Sequence, residues 1–280
     1  MAGSSNFASG LLAGCATTIL FHPLDLVKTR FQVDESRWRK GHVVPSLSTK
    51  DLIVSIRDEI GFKGLYRGLV PAMVGASISW GIYFALYEDI KTRIAGEEQR
   101  RLLPYEYLMA SAGSGTITTL CTNPIWLVKT RMELQTPGNE PYKGLVHALR
   151  TIVKQDGAKG LYKGIAPALV LVSNGGMQFM LYEEFKHVYN RPLNSLDHMA
   201  LGALSKGLAS VITYPYQVVK SRMQQYHSTY HSTSYTFRSI VRGEGIAGLY
   251  SGLIPNLSRV MPSSAVTFAV YEACKKLFST

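Results

Sequence analysis

A chain of 280 residues with only 18% charged side chains, 25 glycines and a mean hydropathy of +0.04 lacks the composition of an ordinary soluble domain. Its net charge of +11 suits nucleic acid, anionic lipid or an anionic substrate, and does not choose among them. The three cysteines, Cys15, Cys121 and Cys274, form no Cys-x-x-Cys pair, which argues against a disulfide framework or a thiolate zinc site. They read instead as buried thiols packing like small hydrophobes. Met1 to Asn6 lacks the basic stretch of a secretory signal, so any membrane targeting is expected to be internal.

Along the chain, one set of elements occurs three times in the same order. The first is Pro23-Leu-Asp25-Leu-Val-Lys28-Thr-Arg30, then Pro124-Ile-Trp126-Leu-Val-Lys129-Thr-Arg131, then Pro215-Tyr-Gln217-Val-Val-Lys220-Ser-Arg222. Each is followed by a glycine-bracketed element: Gly64-Leu-Tyr-Arg-Gly68, Gly160-Leu-Tyr-Lys-Gly164 and Gly248-Leu-Tyr-Ser-Gly252, with Pro71, Pro167 and Pro255 just beyond. Tyr87-Glu88-Asp-Ile-Lys91, Tyr182-Glu183-Glu-Phe-Lys186 and Tyr271-Glu272-Ala-Cys-Lys275 close the modules. The module boundaries fall at 1–97, 98–191 and 192–280.

Each module contains two apolar stretches near the ~20 residues that a helix needs to cross ~30 Å of hydrocarbon. They are Phe7–Gln32 and Pro71–Ile94, Tyr105–Leu134 and Pro167–Tyr189, Leu196–Met223 and Pro255–Phe278. Polar residues such as Ser77, Ser79, Asn174, Gln178, Lys206 and Ser263 interrupt them, as expected where helices line an aqueous cavity. Prolines inside long helices are tolerated in a membrane bundle, where neighbours re-satisfy the freed backbone groups. Gly10 and Gly14, Ser111 and Gly115, and Gly202 and Lys206 hold matching positions before the motif prolines. Small residues there allow close helix approach, and Lys206 breaks the pattern. Amphipathic segments Thr49–Ile60, Tyr142–Gln155 and Ser234–Arg242 lie between the spans and suit short surface helices. The predicted fold is an all-α membrane protein: six transmembrane helices in three pseudo-symmetric repeats, with short amphipathic helices on one side.

These motifs resemble the mitochondrial carrier family over essentially the whole chain. The resemblance implies a three-fold pseudosymmetric bundle in the mitochondrial inner membrane, with both termini facing the intermembrane space. Loops around 34–63, 136–159 and 225–247 would face the matrix. It also implies one central site, alternating access between a matrix gate and a cytoplasmic gate, and no covalent chemistry. Trp126 and Gln217 replace the acid that the family motif usually carries. Together with Lys206, Ser79-Trp80-Gly81-Ile-Tyr83 and Tyr214-Pro-Tyr-Gln217, they resemble the folate and FAD carriers. Pyrimidine nucleotides and NAD are the alternative cargoes. A non-transporting basic membrane or nucleic-acid binding protein is the alternative of another class. Clustered basic stripes are absent, and the basic residues recur at module ends, which disfavours nucleic acid. No Gly-x-Ser-x-Gly, Walker, His-Glu-x-x-His or Rossmann pattern occurs, so neither an enzyme, a metal nor a cofactor is expected. The expected partners are a small anionic substrate and the bilayer, including an anionic phospholipid such as cardiolipin, with the protein a monomer.

Within that framework the cytoplasmic gate comprises Glu88, Lys91, Glu183, Lys186, Glu272 and Lys275. Each acid is either paired locally or paired with the base of the next module in a ring. The matrix gate comprises Asp25, Lys28, Trp126, Lys129, Gln217 and Lys220, with Trp126 expected to offer a cation–π contact. Gln32, Glu133 and Gln224 are either braces beneath the lysines or solvated polar positions. Family geometry puts substrate contacts at Gly75, Val170 and Arg259, with Ser79, Trp80, Tyr83, Asn174, Gln178 and Ser263 nearby. Lys206 and Arg259 are expected to lack a carboxylate partner in the bilayer and to hold the substrate's anion.

Overall fold

The computed structural model describes residues 2–34, 49–96, 100, 102–136, 141–189, 194–226, 228–260 and 262–263. These form helices throughout. Module one contributes α1 (Ala2–Val33), α2 (Thr49–Gly64) and α3 (Leu69–Ala95). Module two contributes α4 (Pro104–Glu133), α5 (Leu145–Gly160), α6 (Ile165–Val170) and α7 (Ser173–Tyr189). Module three contributes α8 (Ser195–Gln224), α9 (Thr233–Glu244), a 3₁₀ turn (Ile246–Tyr250) and α10 (253–260). By length and composition, two of these helical stretches qualify to cross a membrane, Gly61–Ala95 and Ile165–Val188. Exposed Leu108, Met109, Phe179, Met180, Leu204 and Leu208 give the long helices an apolar outer surface suited to lipid.

The repeated motifs explain how each module folds on itself. Pro23, Pro124 and Pro215 sit inside α1, α4 and α8, where the missing N–H weakens the ladder. The residue before each proline clamps that bend to the start of the next long helix. His22 Nε2 lies 2.9 Å from the Arg67 carbonyl, Asn123 Nδ2 donates to Leu161 O at 2.8 Å, and Tyr214 Oη donates to Ser251 O at 3.1 Å. The shorter asparagine reaches a carbonyl earlier in its glycine-bracketed element than the two rings do. The Leu-Val or Val-Val pair of each motif then packs on the surface helix. Leu26 and Val27 meet Ile56, Leu127 and Val128 meet Ile152, and Val218 and Val219 meet Ile240, all buried. Burying each such side chain stabilises by about 1.5–3 kcal/mol.

The modules interlock in a cycle. Gly68, Gly164 and Gly252 precede α3, α6 and α10 with φ of 83°, 76° and 81°, a region that glycine enters without steric cost. A Cβ on each would stand 3.2, 3.2 and 2.9 Å from the carbonyls of Lys129, Lys220 and Lys28, so module one abuts two, two abuts three and three abuts one. The motif arginines follow the same rotation. Arg30 Nη2 donates to Gln135 O (3.2 Å), Arg131 Nε to Gln224 O (3.1 Å) and Arg222 Nε to Gln32 O (2.9 Å).

Arg131 and Arg222 are also buried against acids from the surface segments, Asp156 at 3.0 Å and Glu244 in a two-pronged pair. Burial pushes the Asp156 carboxyl up, but hydrogen bonds from Arg131 and Lys163 reverse this and hold it below the usual range. A carboxyl lowered in this way stabilises the fold above its ordinary pKa of about 4, and that contribution fades only as the pH falls further.

One expectation is refined and one is corrected. Within the fourth span, which remains one membrane-length helical stretch (Ile165–Val188), residues 171–172 form a tighter turn. There the bonds tighten (Val172 N to Leu169 O, 3.1 Å) and the Ser173 hydroxyl takes the Val170 carbonyl at 2.7 Å, competing with the helical ladder. The thiols are not uniformly buried. Cys15 is half-buried, and Cys121 is exposed near Ile117 and Leu120 on the apolar outside of α4; Cys274 lies outside the described residues.

The buried two-pronged pair is a strong stability test. Glu244→Ala leaves Arg222, which is 0% exposed, without its carboxylate, and should cost about 3–5 kcal/mol. Asp89→Ala, which removes an exposed, solvent-screened pair with Arg93 one turn away on α3, should leave stability nearly unchanged. Unfolding of the two variants in detergent, followed by intrinsic fluorescence, should show a large fall in midpoint for the first only. Equal midpoints would refute a stabilising role for the buried Arg222–Glu244 pair.

Candidate functional site

The motif lysines form the centre of one end of the bundle, and two of the three reach backward around the cycle. Lys28 Nζ of module one donates to Gln217 Oε1 of module three at 3.0 Å. Lys129 of module two pairs with Asp25 of module one at 3.7 Å and with Glu133 on its own helix at 2.9 Å. By the same rotation Lys220 of module three would reach residue 126 of module two, where the acid is replaced by tryptophan. Trp126 does not serve as a cation–π partner among the described residues: its indole Nε1 donates instead to Ser79 Oγ at 3.2 Å. Lys220 has neither a hydrogen bond nor an ion pair among the described residues.

Beneath the lysines Gln32, Glu133 and Gln224 are at most 1% exposed, so they are not solvated positions. Each accepts from a hydroxyl of the preceding module. Thr29 donates to Glu133 at 2.8 Å, Thr130 to Gln224 at 3.1 Å and Ser221 to Gln32 at 2.7 Å. Here all three links of the cycle are made.

The opposite end is different. Glu88 pairs with Lys91 and Glu183 pairs with Lys186 at 3.5 Å, each within its own helix, and both acids are about half exposed or more. The pairing between modules is therefore not formed in this conformation at Glu88, Lys91, Glu183 and Lys186. Glu272 and Lys275 lie outside the described residues.

Between these ends a cavity of about 620 Å³ opens among α3, α4, α6, α7 and α8. Ser79, Trp80 and Tyr83 come to it from α3, and Trp126 and Lys220 come from the motifs. Trp80 is 58% exposed and stacks on Phe84, with ring centroids 5.5 Å apart, and presents an edge to Tyr83. Tyr83 Oη lies 2.9 Å from Ser111 Oγ. The remaining polar wall is Ser111, Thr118, Thr119, Thr122 and Asn123 of α4, which was missed because family geometry directs attention to the even-numbered spans. Its signal was present: hydroxyl and amide residues recur every three or four positions from Ser111 to Trp126, which places them on one helical face.

The other expected contacts lie elsewhere. Gly75 is buried, with Ile125 and Trp126 packed where its side chain would be. Its smallness seats the tryptophan. Val170 is 41% exposed and does not line the cavity, although Ala168, Leu171 and Val172 do. Asn174 donates to Thr213 Oγ1 at 2.8 Å, Gln178 is half-buried, and Ser263 Oγ donates to Val260 O at 2.9 Å. Lys206 is half-buried with no acidic partner among the described residues. Arg259 does have one, contrary to expectation: its Nε is 2.9 Å from Asp25 Oδ1. Counting depth along separate helices hid this pair, because Asp25 on α1 and Arg259 on α10 meet only once the first and third modules pack together. Neither Lys206 nor Arg259 lines the cavity, and Lys220 is its sole cation among the described residues.

Comparison with known proteins agrees with this architecture. A family model described as mitochondrial carrier protein matches residues 3–98, 100–193 and 191–280. The chain is similar to the chloroplastic folate transporter 1 of Arabidopsis thaliana, at 43% identity over 97% of this chain and 94% of that protein. It is also similar to the chloroplastic nicotinamide adenine dinucleotide transporter 1 of Arabidopsis thaliana (34%, covering 98% and 92%) and to the mitochondrial FAD carrier protein of Saccharomyces cerevisiae (34%, covering 95% and 94%). Three tandem matches, an all-helical bundle and a cyclic interlock of repeated motifs lead to one conclusion: the chain belongs to the mitochondrial carrier family and is a membrane transporter, not an enzyme.

Proposed function

We propose that the protein carries an anionic flat-ring cofactor, folate or FAD, across the mitochondrial inner membrane by alternating access. The observation that carries this reading is the cavity itself, where Trp80, Tyr83 and Trp126 offer ring faces beside a wall of hydroxyls and one lysine. Aromatic side chains bind flat heterocycles by offset or edge contact, and the hydroxyls suit a ring's polar edge. Similarity to folate and FAD carriers supports the same class. The reading places both termini in the intermembrane space, makes the modules 1–97, 98–191 and 192–280 one monomeric transport unit, and makes an anionic phospholipid such as cardiolipin its lipid partner. The matrix-end links and the locally paired cytoplasmic acids fit a state open to the cytoplasmic side. Lys206 remains a second cation of the path in this reading.

Two measurements test it. Proteoliposomes carrying the purified protein should take up folate or FAD well above protein-free vesicles, and UTP and NAD poorly. Uptake of UTP or NAD alone would reject the cargo assignment. For the gates, Glu88→Lys should reduce transport by about tenfold, because closure then places like charges together. Adding Lys186→Glu should restore part of it by recreating an inter-module pair. A double variant no better than the single one would remove Glu88 and Lys186 as gate partners.

A further inference from the structure

We propose that Lys220 is the anion-binding residue of the cavity, and that the substrate's own anionic group takes the place of the carboxylate that Trp126 displaces from the lysine cycle; this rests on the carrier reading above.

Three independent observations support the assignment. The cycle supplies Lys28 with Gln217 and Lys129 with Asp25, and supplies Lys220 with nothing among the described residues. Lys220 also lines the cavity together with Trp126, whereas Lys206 and Arg259 do not. Arg259 is already engaged by Asp25.

The third observation comes from the cavity wall. Thr118 and Asn123 line it, are 7% and 1% exposed, and leave Thr118 Oγ1 and Asn123 Oδ1 without a hydrogen-bond partner. Both atoms are shielded in the cavity wall, so they are polar groups that a ligand satisfies only once the wall side chains shift to admit it. Asn123 Oδ1 accepts only, so the ligand must present an N–H or O–H to it. The ligand class is then a flat heterocycle with a donor-bearing edge at α4 and an anionic group at Lys220. A lysine facing a carboxylate or phosphate makes a charge-assisted bond, stronger than the neutral ones along the wall.

The experiment uses purified full-length protein and ligand-induced thermal stabilisation. Charged and uncharged probes are compared: folic acid against pterin, and FMN against riboflavin, with UTP and NAD as further anions. Lys220→Gln should lose about tenfold or more in affinity for folic acid and FMN, and should keep its response to pterin and riboflavin. Lys220→Arg should retain most of the anion affinity. Trp126→Glu supplies the missing carboxylate. It should raise the unfolding temperature of the empty protein and weaken anion binding, a test that holds even where Lys220→Gln folds poorly. Unchanged folic acid and FMN affinity in Lys220→Gln or Trp126→Glu overturns the role of Lys220 and leaves the flat-ring reading intact. A wild-type response to UTP or NAD but to no folate or flavin, still dependent on Lys220, overturns the folate and FAD cargo reading and keeps the lysine. No response of the wild type to any anion overturns both.

Discussion

The arrangement depends on one constraint: three copies of a helix–surface-helix–helix unit can close only if each copy satisfies its neighbour. A single module cannot do this. Its motif arginine needs the next module's carbonyl, its serine or threonine needs the next module's glutamine or glutamate, and its glycine must admit the next module's lysine carbonyl. Every one of these groups is buried or nearly so, and leaving a buried donor or acceptor unmade costs about 1–3 kcal/mol. The cycle therefore closes as a set, with little gained by closing it in part.

Against that background the lysine layer is the exception. It has the same three-fold positions but unequal partners: a carboxylate, an amide and an indole. Two of its links are made, and Asp25 is shared between Lys129 and Arg259. A layer tied at two points and open at the third is held less firmly than the hydroxyl–amide layer beneath it. That is the property a gate requires, since a barrier closed at all points would need more interaction energy from the substrate to open. Replacing the acid by Trp126 also trades a charge for a ring face in the cavity, so one substitution loosens the layer and shapes the ligand pocket.

Much of this was legible in the sequence because the modules repeat in register. The motif prolines, the glycine-bracketed elements and the Leu-Val or Val-Val pairs place the bends, the starts of the even-numbered spans and the three small cores without reference to coordinates. The braces Gln32, Glu133 and Gln224 and the departure at Trp126 were equally visible. What the pattern hid were contacts between helices far apart in sequence. The pair between Asp25 and Arg259 joins α1 to α10, helices from opposite ends of the chain. The α4 hydroxyl face was hidden because threonines inside a helix ordinarily bond back to their own turn, as Thr122 and Thr119 do here, and so read as inert. The tighter turn after Val170 arises from a local contest for one carbonyl that composition does not resolve.

The central claim is that the anion of the cargo completes the lysine cycle. The most direct measurement is an experimental structure of the carrier with folic acid or FMN bound in the cytoplasm-facing state. The carboxylate or phosphate should lie about 3 Å from Lys220 Nζ, with the ring among Trp80, Tyr83 and Trp126 and its polar edge at Thr118 and Asn123. An anion held by Lys206 or Arg259, with Lys220 remote and unoccupied, would contradict the account.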